Sequence, residues 1–290
     1  MRVAVVGAGA WGTAFAGVLR ERGHDASLIG RDAPERGEVA TAELVCVAVP
    51  SRVFREVTAS LPGAAPILIL TKGLDPEGGE RLSRVVEDRE IVVLSGPNHA
   101  EEIEQGLPAA AVLASANEKL AAELQHELHS VRFRVYVNID LVGVELCAAA
   151  KNVMALAAGA VDGLDAGDNA KAALITRGLA EMARLGEACG ARPETFSGLA
   201  GMGDLMVTCW SRHGRNRRAG ELIARGASPE EAAAEIGQVV EGLTTAPALR
   251  DLAHRSGVEL PITEAVCQVL DGASLNELVS GLMGRRPTDE

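Results

Sequence analysis

The first residues with a recognisable chemical use form a glycine-rich turn near the start of the chain. Gly7, Gly9 and Gly12 have the spacing GxGxxG, directly after the apolar run 3–6 and directly before a helical pattern. In such a turn the first glycine allows a tight bend, the second lets the backbone approach a pyrophosphate, and the third lets helix and strand pack closely. The free N–H groups at the helix start attract negative charge. The turn therefore predicts a dinucleotide-binding site.

The residues at the end of the second predicted strand should determine whether the site prefers NAD or NADP. The strand ends at Ile29, and Gly30, Arg31 and Asp32 follow it. The planar guanidinium group of Arg31 suits a ribose 2′-phosphate, which favours NADP. Asp32 would instead meet a ribose 2′-hydroxyl if the register differs by one residue, as an NAD site requires. The sequence thus favours NADP and leaves NAD open.

A second group of polar residues lies in the carboxyl-terminal half of the chain. Asp204 and Thr208 are four residues apart, so a helical turn places them on one face. A cluster of arginines follows in an otherwise acidic protein, and it consists of Arg212, Arg215, Arg217 and Arg218. Guanidinium groups suit phosphate, so the cluster indicates an anion site, with a solvated basic run as the alternative.

Two kinds of secondary structure have to position these residues. Residues 1–140 alternate short apolar runs with helical patterns, which predicts right-handed βαβ units and a parallel sheet. The predicted strands are 3–6, 26–29, 44–49, 67–70, 91–94, 109–113 and 133–137. Beyond residue 140 the predicted helices are 141–160, 169–189, 218–225, 229–236, 244–256, 261–271 and 274–282. We therefore predict an α/β fold: a Rossmann-type dinucleotide-binding domain (1–140), then a mainly α-helical substrate and catalytic domain (141–290), with the active site between them.

Composition and charge exclude several other classes of protein. The chain has 290 residues, a length typical of two domains, and a net charge of −12, which argues against a nucleic-acid partner. The five cysteines include no CxxC pair, and His126 and His129 have no supporting ligand pattern, so we expect no metal. We find no signal peptide and no uncharged apolar run of 18 residues, so we expect no transmembrane segment and a cytoplasmic location.

Several short strings occur together in a specific order. They are Gly7-Ala-Gly-Ala-Trp-Gly-Thr13, Thr71-Lys-Gly73, Ser95-Gly-Pro-Asn98, Gly143-Val-Glu-Leu146, Lys151-Asn152, the run 168–177, Gly201-Met-Gly-Asp204, Thr208-Cys209, Gly214-Arg-Asn-Arg217 and Val240-Glu-Gly242. This ordered set resembles the bacterial NAD(P)-dependent sn-glycerol-3-phosphate dehydrogenases. The resemblance implies interconversion of dihydroxyacetone phosphate and sn-glycerol 3-phosphate, a small phosphorylated substrate, and a place in the supply of glycerophospholipid precursors. It leaves a homodimer open.

The resemblance also implies a role for each matching residue. Lys151 is the implied acid and base, because hydride transfer to a ketone leaves an oxygen that needs a proton and a nearby positive charge. Desolvation and neighbouring cations would lower the pKa of this lysine towards a useful range. The implied substrate-binding residues are Lys72, Gly96, Asn98, Lys151, Asn152, Asp204, Thr208, Gly214, Arg215 and Asn216. The implied cofactor-binding residues are Gly7, Gly9, Ala10, Trp11, Gly12, Arg31, Lys72, Ala100, Arg215, Val239 and Glu241.

The chain departs from the family pattern at two places. Only about a dozen residues join Arg31 to Leu44, so a helix and a small strand near the adenosine side are missing. Gly214 stands where the family usually has a serine, which removes one hydroxyl donor for the phosphate. Two rival functions remain open. One is a 3-hydroxyacid or 6-phosphogluconate type dehydrogenase of the same architecture, and the other is a cofactor-binding sensor or degenerate enzyme.

Overall fold

A seven-stranded sheet forms the amino-terminal part of the computed structural model, which describes residues 1–31 and 36–275. The strands are β1 (Arg2–Val6), β2 (Asp25–Ile29), β3 (Leu44–Val47), β4 (Ile67–Ile69), β5 (Ile91–Ser95), β6 (Ala109–Ala114) and β7 (Phe133–Asn138). Their order across the sheet is β2-β1-β3-β4-β5-β6-β7. Every predicted strand is present, with ends within two residues of the prediction, because continuous apolar runs are typical of strands buried on both faces.

Helices flank the sheet and then make up the rest of the described chain. Those beside the sheet are α1 (Ala10–Glu21), α2 (Arg36–Thr41), α3 (Ser51–Ala59), α4 (Leu82–Val85), α5 (Ala100–Glu104) and α6 (Glu118–Leu128). Those that follow are α7 (Leu141–Gly163), α8 (Gly167–Ala188), α9 (Pro193–Ser197), a π-helical turn (Leu199–Gly203), α10 (Asp204–Trp210), α11 (Arg215–Ala224), α12 (Pro229–Ile236), α13 (Glu241–Arg255) and α14 (Pro261–Leu270). The α/β prediction is confirmed. The helix predicted over 274–282 lies almost entirely outside the described residues.

The sheet is parallel, as predicted, except at one pair of strands. β1 to β5 are parallel, but β6 runs antiparallel to β5, and β7 then pairs parallel with β6. The chain turns back at Gly96, which has a φ of +119°, and the backbone N–H of Ala110 donates to the carbonyl of Pro97 at 3.4 Å. A connection between parallel strands has to run back along the length of the strands. The connection from β5 to β6 instead stays at the carboxyl end of β5, so β6 runs in the opposite direction.

The short connection after Arg31 leaves the outer edge of β2 without a neighbouring strand in the described part of the chain. In the common order of dinucleotide-binding sheets, a further strand lies beyond the second one. Here β2 is the edge strand, no described residue pairs with its outer side, and α2 leads straight to β3. The shortening therefore removes an outer strand and leaves the junction between β1 and β3 intact.

The central helix of the molecule is α7, which begins where the side chain of Asp140 accepts a hydrogen bond from the N–H of Gly143 at 2.9 Å. Its length and composition alone would allow it to cross a membrane. However, 89% of its most apolar window is buried inside the protein, and its two buried charged residues, Glu145 and Lys151, are ion-paired there. These are the properties of a core helix.

Glycines allow α7 and α11 to pack backbone against backbone. A Cβ at Gly159 would overlap the carbonyl oxygen of Arg217, and a Cβ at Gly220 would overlap the carbonyl oxygen of Leu156. Because interiors are densely packed, so close an approach leaves α11 little freedom to shift. The amino-terminal end of α11 is thereby fixed beside the middle of α7.

Candidate active site

A cleft with a volume of about 1120 Å³ runs along the carboxyl ends of β1, β3 and β4 and against α7 and α11. It lies outside the strand ends, where open α/β sheets bind their ligands. Its lining includes Gly7, Gly9, Ala10, Trp11, Arg31, Lys72, Asn98, Ala100, Lys151, Asn152, Thr208, Gly214, Arg215, Asn216, Val239 and Glu241. Three residues given a role by the resemblance lie behind this lining: Gly12, Gly96 and Asp204.

The glycine turn fits the pyrophosphate of a dinucleotide. Gly7 has a φ of +113°, and a Cβ there would overlap the carbonyl oxygen of Ala48. A Cβ at Gly12 would overlap the carbonyl oxygen of Gly7, so α1 can start here only with glycine. At Gly9 a Cβ would meet no atom within 4 Å and would occupy cleft space. The first turn of α1 has no acidic residue and no side-chain cap, so its N–H groups are available to an anion.

The adenosine side of the cleft begins at Arg31, directly beyond the end of β2. From there the lining continues over Val39 of α2 and over Val53 and Val57 of α3, which are apolar surfaces suited to a flat base. Asp32, the alternative contact for NAD, lies outside the described residues.

A buried carboxylate shared by two lysines lies where the carboxyl ends of the strands meet α7. Asp204 is 1% exposed, its Oδ1 accepts a hydrogen bond from Lys151 Nζ, and its Oδ2 accepts one from Lys72 Nζ at 3.0 Å. Lys151 also donates to the hydroxyl of Thr208 at 3.0 Å. The four-residue spacing places Asp204 and Thr208 on one face of α10, as the sequence predicted, and both groups contact the same lysine there.

The protonation of this cluster follows from burial and from the three charges. Burial, which Asp204 opposes and Lys72 assists, lowers the pKa of Lys151 to about 7. Burial alone would raise the pKa of Asp204, but the two lysines hold it down to about 2. Near neutral pH, Asp204 is therefore an anion, while Lys151 can gain or lose a proton.

Asn98 presents a hydrogen-bond donor beside the lysines. Its Oδ1 accepts from Lys72 Nζ at 2.8 Å, while its Nδ2 is buried with no partner in the described part of the protein. Unpaired buried donors are costly, so this one suits a ligand oxygen. The neighbouring His99 also lines the cleft, and burial, then Lys151 and Lys72, lower its pKa, which leaves the ring neutral at pH 7.

Two asparagine amides tie the walls of the cleft together. Asn152 Nδ2 donates to the carbonyl of Lys72 at 2.9 Å, and Asn152 Oδ1 accepts from Asn216 Nδ2 at 2.9 Å. Asn216 Oδ1 in turn accepts from the backbone N–H of Gly242 at 2.8 Å. Each amide NH₂ has two hydrogens, so Asn216 keeps one donor for a ligand. The amide of Asn152 instead connects the end of β4, α7 and α11.

Within the arginine cluster, only Arg215 lines the cleft among the described residues. It is exposed and donates to the carbonyl of Val239 at 3.2 Å. Arg217 pairs with Asp162 at 2.6 Å, and Arg218 pairs with Glu235 at 3.0 Å, both away from the cleft lining. Of the anion site that the sequence indicated, Arg215 and the start of α11 are the parts that face the cleft.

The glycine at position 214 has a packing reason in this structure. A Cβ there would lie 2.9 Å from the carbonyl oxygen of Thr208 and 3.2 Å from that of Ser211. A side chain would therefore require the backbone to shift. The N–H groups at the start of α11 remain available on this side of the cleft.

The sequence missed two serines that contact the site. Ser51, at the start of α3, donates to Glu241 through its hydroxyl at 2.6 Å and through its backbone N–H at 3.2 Å. Burial raises the pKa of Glu241. Ser95 is fully buried and donates to Asp204 Oδ2 at 3.2 Å. Ser95 could have been identified from the sequence because it opens the string Ser95-Gly-Pro-Asn98. For Ser51 the sequence offered only its position directly after Pro50.

These features define a class of protein. A glycine turn after the first strand, an adjoining cleft and a buried lysine that titrates near neutrality are the features of a dinucleotide-dependent oxidoreductase. Among the described residues there is no group of three or more His, Cys, Asp or Glu side chains that could hold a metal ion.

Comparison with known families identifies the group more closely. The model for the NAD-dependent glycerol-3-phosphate dehydrogenase C-terminus matches residues 140–280, and the model for the N-terminus of the same enzymes matches residues 2–40 and 34–121. The chain therefore belongs to the NAD-dependent glycerol-3-phosphate dehydrogenase family. The two amino-terminal segments overlap at residues 34–40, in the short connection between Arg31 and Leu44 where a strand of the family pattern is missing.

Individual relatives cover nearly the whole chain. The glycerol-3-phosphate dehydrogenases (NAD(P)+) of Bacillus cereus strain AH187 and Bacillus thuringiensis strain Al Hakam are each 42% identical to it over 327 positions, which cover 98% of this chain and 96% of each relative. The crystal structure of glycerol-3-phosphate dehydrogenase from Coxiella burnetii superposes with a TM-score of 0.93 at 37% identity and covers 98% of both chains. The 327 aligned positions exceed the 290 residues of this chain, so the alignments contain gaps opposite residues that only the relatives have.

Proposed function

We propose that this protein is an NAD(P)-dependent dehydrogenase that interconverts dihydroxyacetone phosphate and sn-glycerol 3-phosphate and so supplies a glycerophospholipid precursor. The observation that carries the proposal is Lys151, a buried lysine with a pKa of about 7 that opens on the same cleft as the glycine turn. Membership of the family supports the choice of substrate.

Lys151 is the proposed acid and base. A nicotinamide held in this cleft would supply or accept the hydride. When the ketone is reduced, the oxygen that gains negative charge needs a proton, and protonated Lys151 donates one from Nζ. When the alcohol is oxidised, neutral Lys151 accepts the hydroxyl proton. Lys72 and Asp204 supply fixed charges beside it, and Thr208 holds Nζ at 3.0 Å.

The substrate phosphate is assigned to the amino-terminal end of α11. The guanidinium group of Arg215, the second amide hydrogen of Asn216 and the N–H groups after Gly214 are the donors there, and the helix end favours an anion. At the other end of the substrate, the free Nδ2 of Asn98 is the donor for a carbonyl or hydroxyl oxygen. In this proposal Gly96 and Asn152 act by holding Lys72.

The cofactor is assigned to the sheet side of the cleft. The proposed contacts are Gly7, Gly9, Ala10, Trp11, Arg31, Lys72, Ala100, Arg215, Val239 and Glu241, with Gly12 supporting the turn. Arg31 favours NADP over NAD because its guanidinium group suits a 2′-phosphate. Residues 1–140 would thus hold the cofactor, while most substrate contacts come from residues 141–290. The five free cysteines support a cytoplasmic location.

The test is oxidation of NADPH and of NADH with dihydroxyacetone phosphate, with unphosphorylated dihydroxyacetone as the control. We expect turnover with the phosphate ester only, and a higher kcat/KM with NADPH. Reduction of NADP+ or NAD+ by 6-phosphogluconate or a 3-hydroxyacid, without turnover of dihydroxyacetone phosphate, would establish the rival dehydrogenase type. Tight cofactor binding with no turnover on any of these substrates would establish a sensor or a degenerate enzyme.

A further inference from the structure

The end of β5 holds the carboxylate of Asp204 through Oδ2, the oxygen that does not accept from Lys151. The Ser95 hydroxyl donates to Oδ2 at 3.2 Å, and the N–H of Gly96 reaches the same oxygen at 3.4 Å. Gly96 has a φ of +119°, and a Cβ there would lie 3.1 Å from the carbonyl oxygen of Ala110, so the turn is tightly constrained. Ser95 itself is 0% exposed. Both donors are therefore fixed by the sheet.

The two oxygens of Asp204 have different partners. Oδ1 contacts Lys151 Nζ and lies 3.3 Å from the Thr208 hydroxyl, whereas Oδ2 takes Lys72, Ser95 and Gly96. A carboxylate accepts about four hydrogen bonds, so this one is saturated by protein donors. With Oδ2 held by the sheet, Oδ1 has one available direction, which is towards Lys151.

We infer that Ser95 is a positioning residue of the reaction, because its hydroxyl orients the Asp204 carboxylate so that Lys151 Nζ is held at one point of the cleft. This inference deepens the proposed function and rests on it. Ser95 does not line the cleft, and it acts through Asp204 alone.

The direction of the electrical effect follows from the groups around Asp204. They are Lys72 after β4, His99 after β5, Cys147 and Lys151 on α7, and Cys209 on α10. Burial raises the pKa of both thiols and lowers that of His99, so those three groups are neutral at pH 7. Loss of a hydroxyl donor leaves the carboxylate less compensated and strengthens its attraction for Lys151. The pKa of Lys151 should then rise.

The experiment compares wild-type protein with Ser95→Ala by the pH dependence of kcat for glycerol 3-phosphate oxidation. In the variant, we expect the limb near pH 7 to move upward by about half a unit or more and kcat to fall about tenfold, with little change in KM. The matched control is Ser115→Ala, which removes another buried hydroxyl of the sheet, one that donates to the carbonyl of Ile91 at 2.7 Å. The control should keep the wild-type limb.

A second measurement does not depend on turnover. Acetylation of Lys151 by acetic anhydride, followed across pH by peptide mass spectrometry, reports the fraction of neutral amine, and its midpoint should rise in Ser95→Ala. If this variant does not fold, Ser95→Cys keeps the volume with a weaker donor and should shift both midpoints in the same direction. Unmoved or lowered midpoints together with wild-type kcat would overturn the role of Ser95. A wild-type protein without turnover would overturn the proposed function, and the acetylation midpoint would still test Ser95.

Discussion

Replacement of Asp204 by asparagine should separate the charge of this residue from its shape. The substitution keeps the volume and removes the negative charge that lies between Lys151 and Lys72. Two unit charges about 3 Å apart, at an effective dielectric constant of about 20, attract by roughly 5 kcal/mol, or about four pKa units. The open cleft beside Lys151 admits water, which weakens the effect, so we expect its pKa to fall by about two units or more.

The assay is the pH dependence of kcat in both directions. If Lys151 is the acid and base as proposed, reduction should require its protonated form and fail as pH rises through its pKa, whereas oxidation should require the neutral amine and fail as pH falls through it. Both limbs should lie near pH 7 in the wild-type protein, because burial lowers the pKa of Lys151 to about 7. In Asp204→Asn both limbs should move to about pH 5 or below. Reduction at pH 7 should therefore become slow, because little Lys151 remains protonated.

A matched control is Asp75→Asn, which removes another buried aspartate whose ion pair, with Arg55 at 2.6 Å, lies outside the cleft lining. It should lower the midpoint of thermal unfolding and leave both limbs unmoved. Limbs that stay near pH 7 in Asp204→Asn would refute the argument that the charge of Asp204 sets the protonation of Lys151.

Three further substitutions test the cofactor turn, the phosphate end and the helix packing. Gly9→Ala should weaken NADPH binding about tenfold or more in calorimetric titration without lowering the melting temperature, and Gly17→Ala, where a Cβ also meets no atom within 4 Å, should leave binding unchanged. Arg215→Lys should raise KM for dihydroxyacetone phosphate about tenfold because the planar fork is lost; an unchanged KM would remove Arg215 from the phosphate site. Gly220→Ala should destabilise the protein by about 1–3 kcal/mol in urea unfolding, because its Cβ would overlap the carbonyl oxygen of Leu156; a wild-type transition midpoint would contradict the backbone contact between α7 and α11.

Local features explain the success of the strand and glycine-turn predictions. Strands such as β1 and β3 are continuous apolar runs, and the glycines from Gly7 to Gly12 form a recognisable spacing within a dozen residues, although the space around Gly7 is closed by Ala48 of the neighbouring strand end. The antiparallel course of β6 was missed because a connection of ordinary length can run either way. Contacts of Gly96 with the first residues of β6 decide its direction.

The amino-acid sequence by itself determined the order of elements, the dinucleotide turn, the candidate lysines and the family resemblance, because each is written in neighbouring residues or in short strings. Only the tertiary structure decided which side chains share the carboxylate of Asp204. The hydrogen bonds from Ser95 and Lys72 to this carboxylate join residues 109 and 132 positions apart, and the bond from Ser51 to Glu241 spans 190 positions. No local pattern encodes such pairs. They exist because the strand ends meet the helices in the protein interior, where a lone charge is costly and every polar group needs a partner.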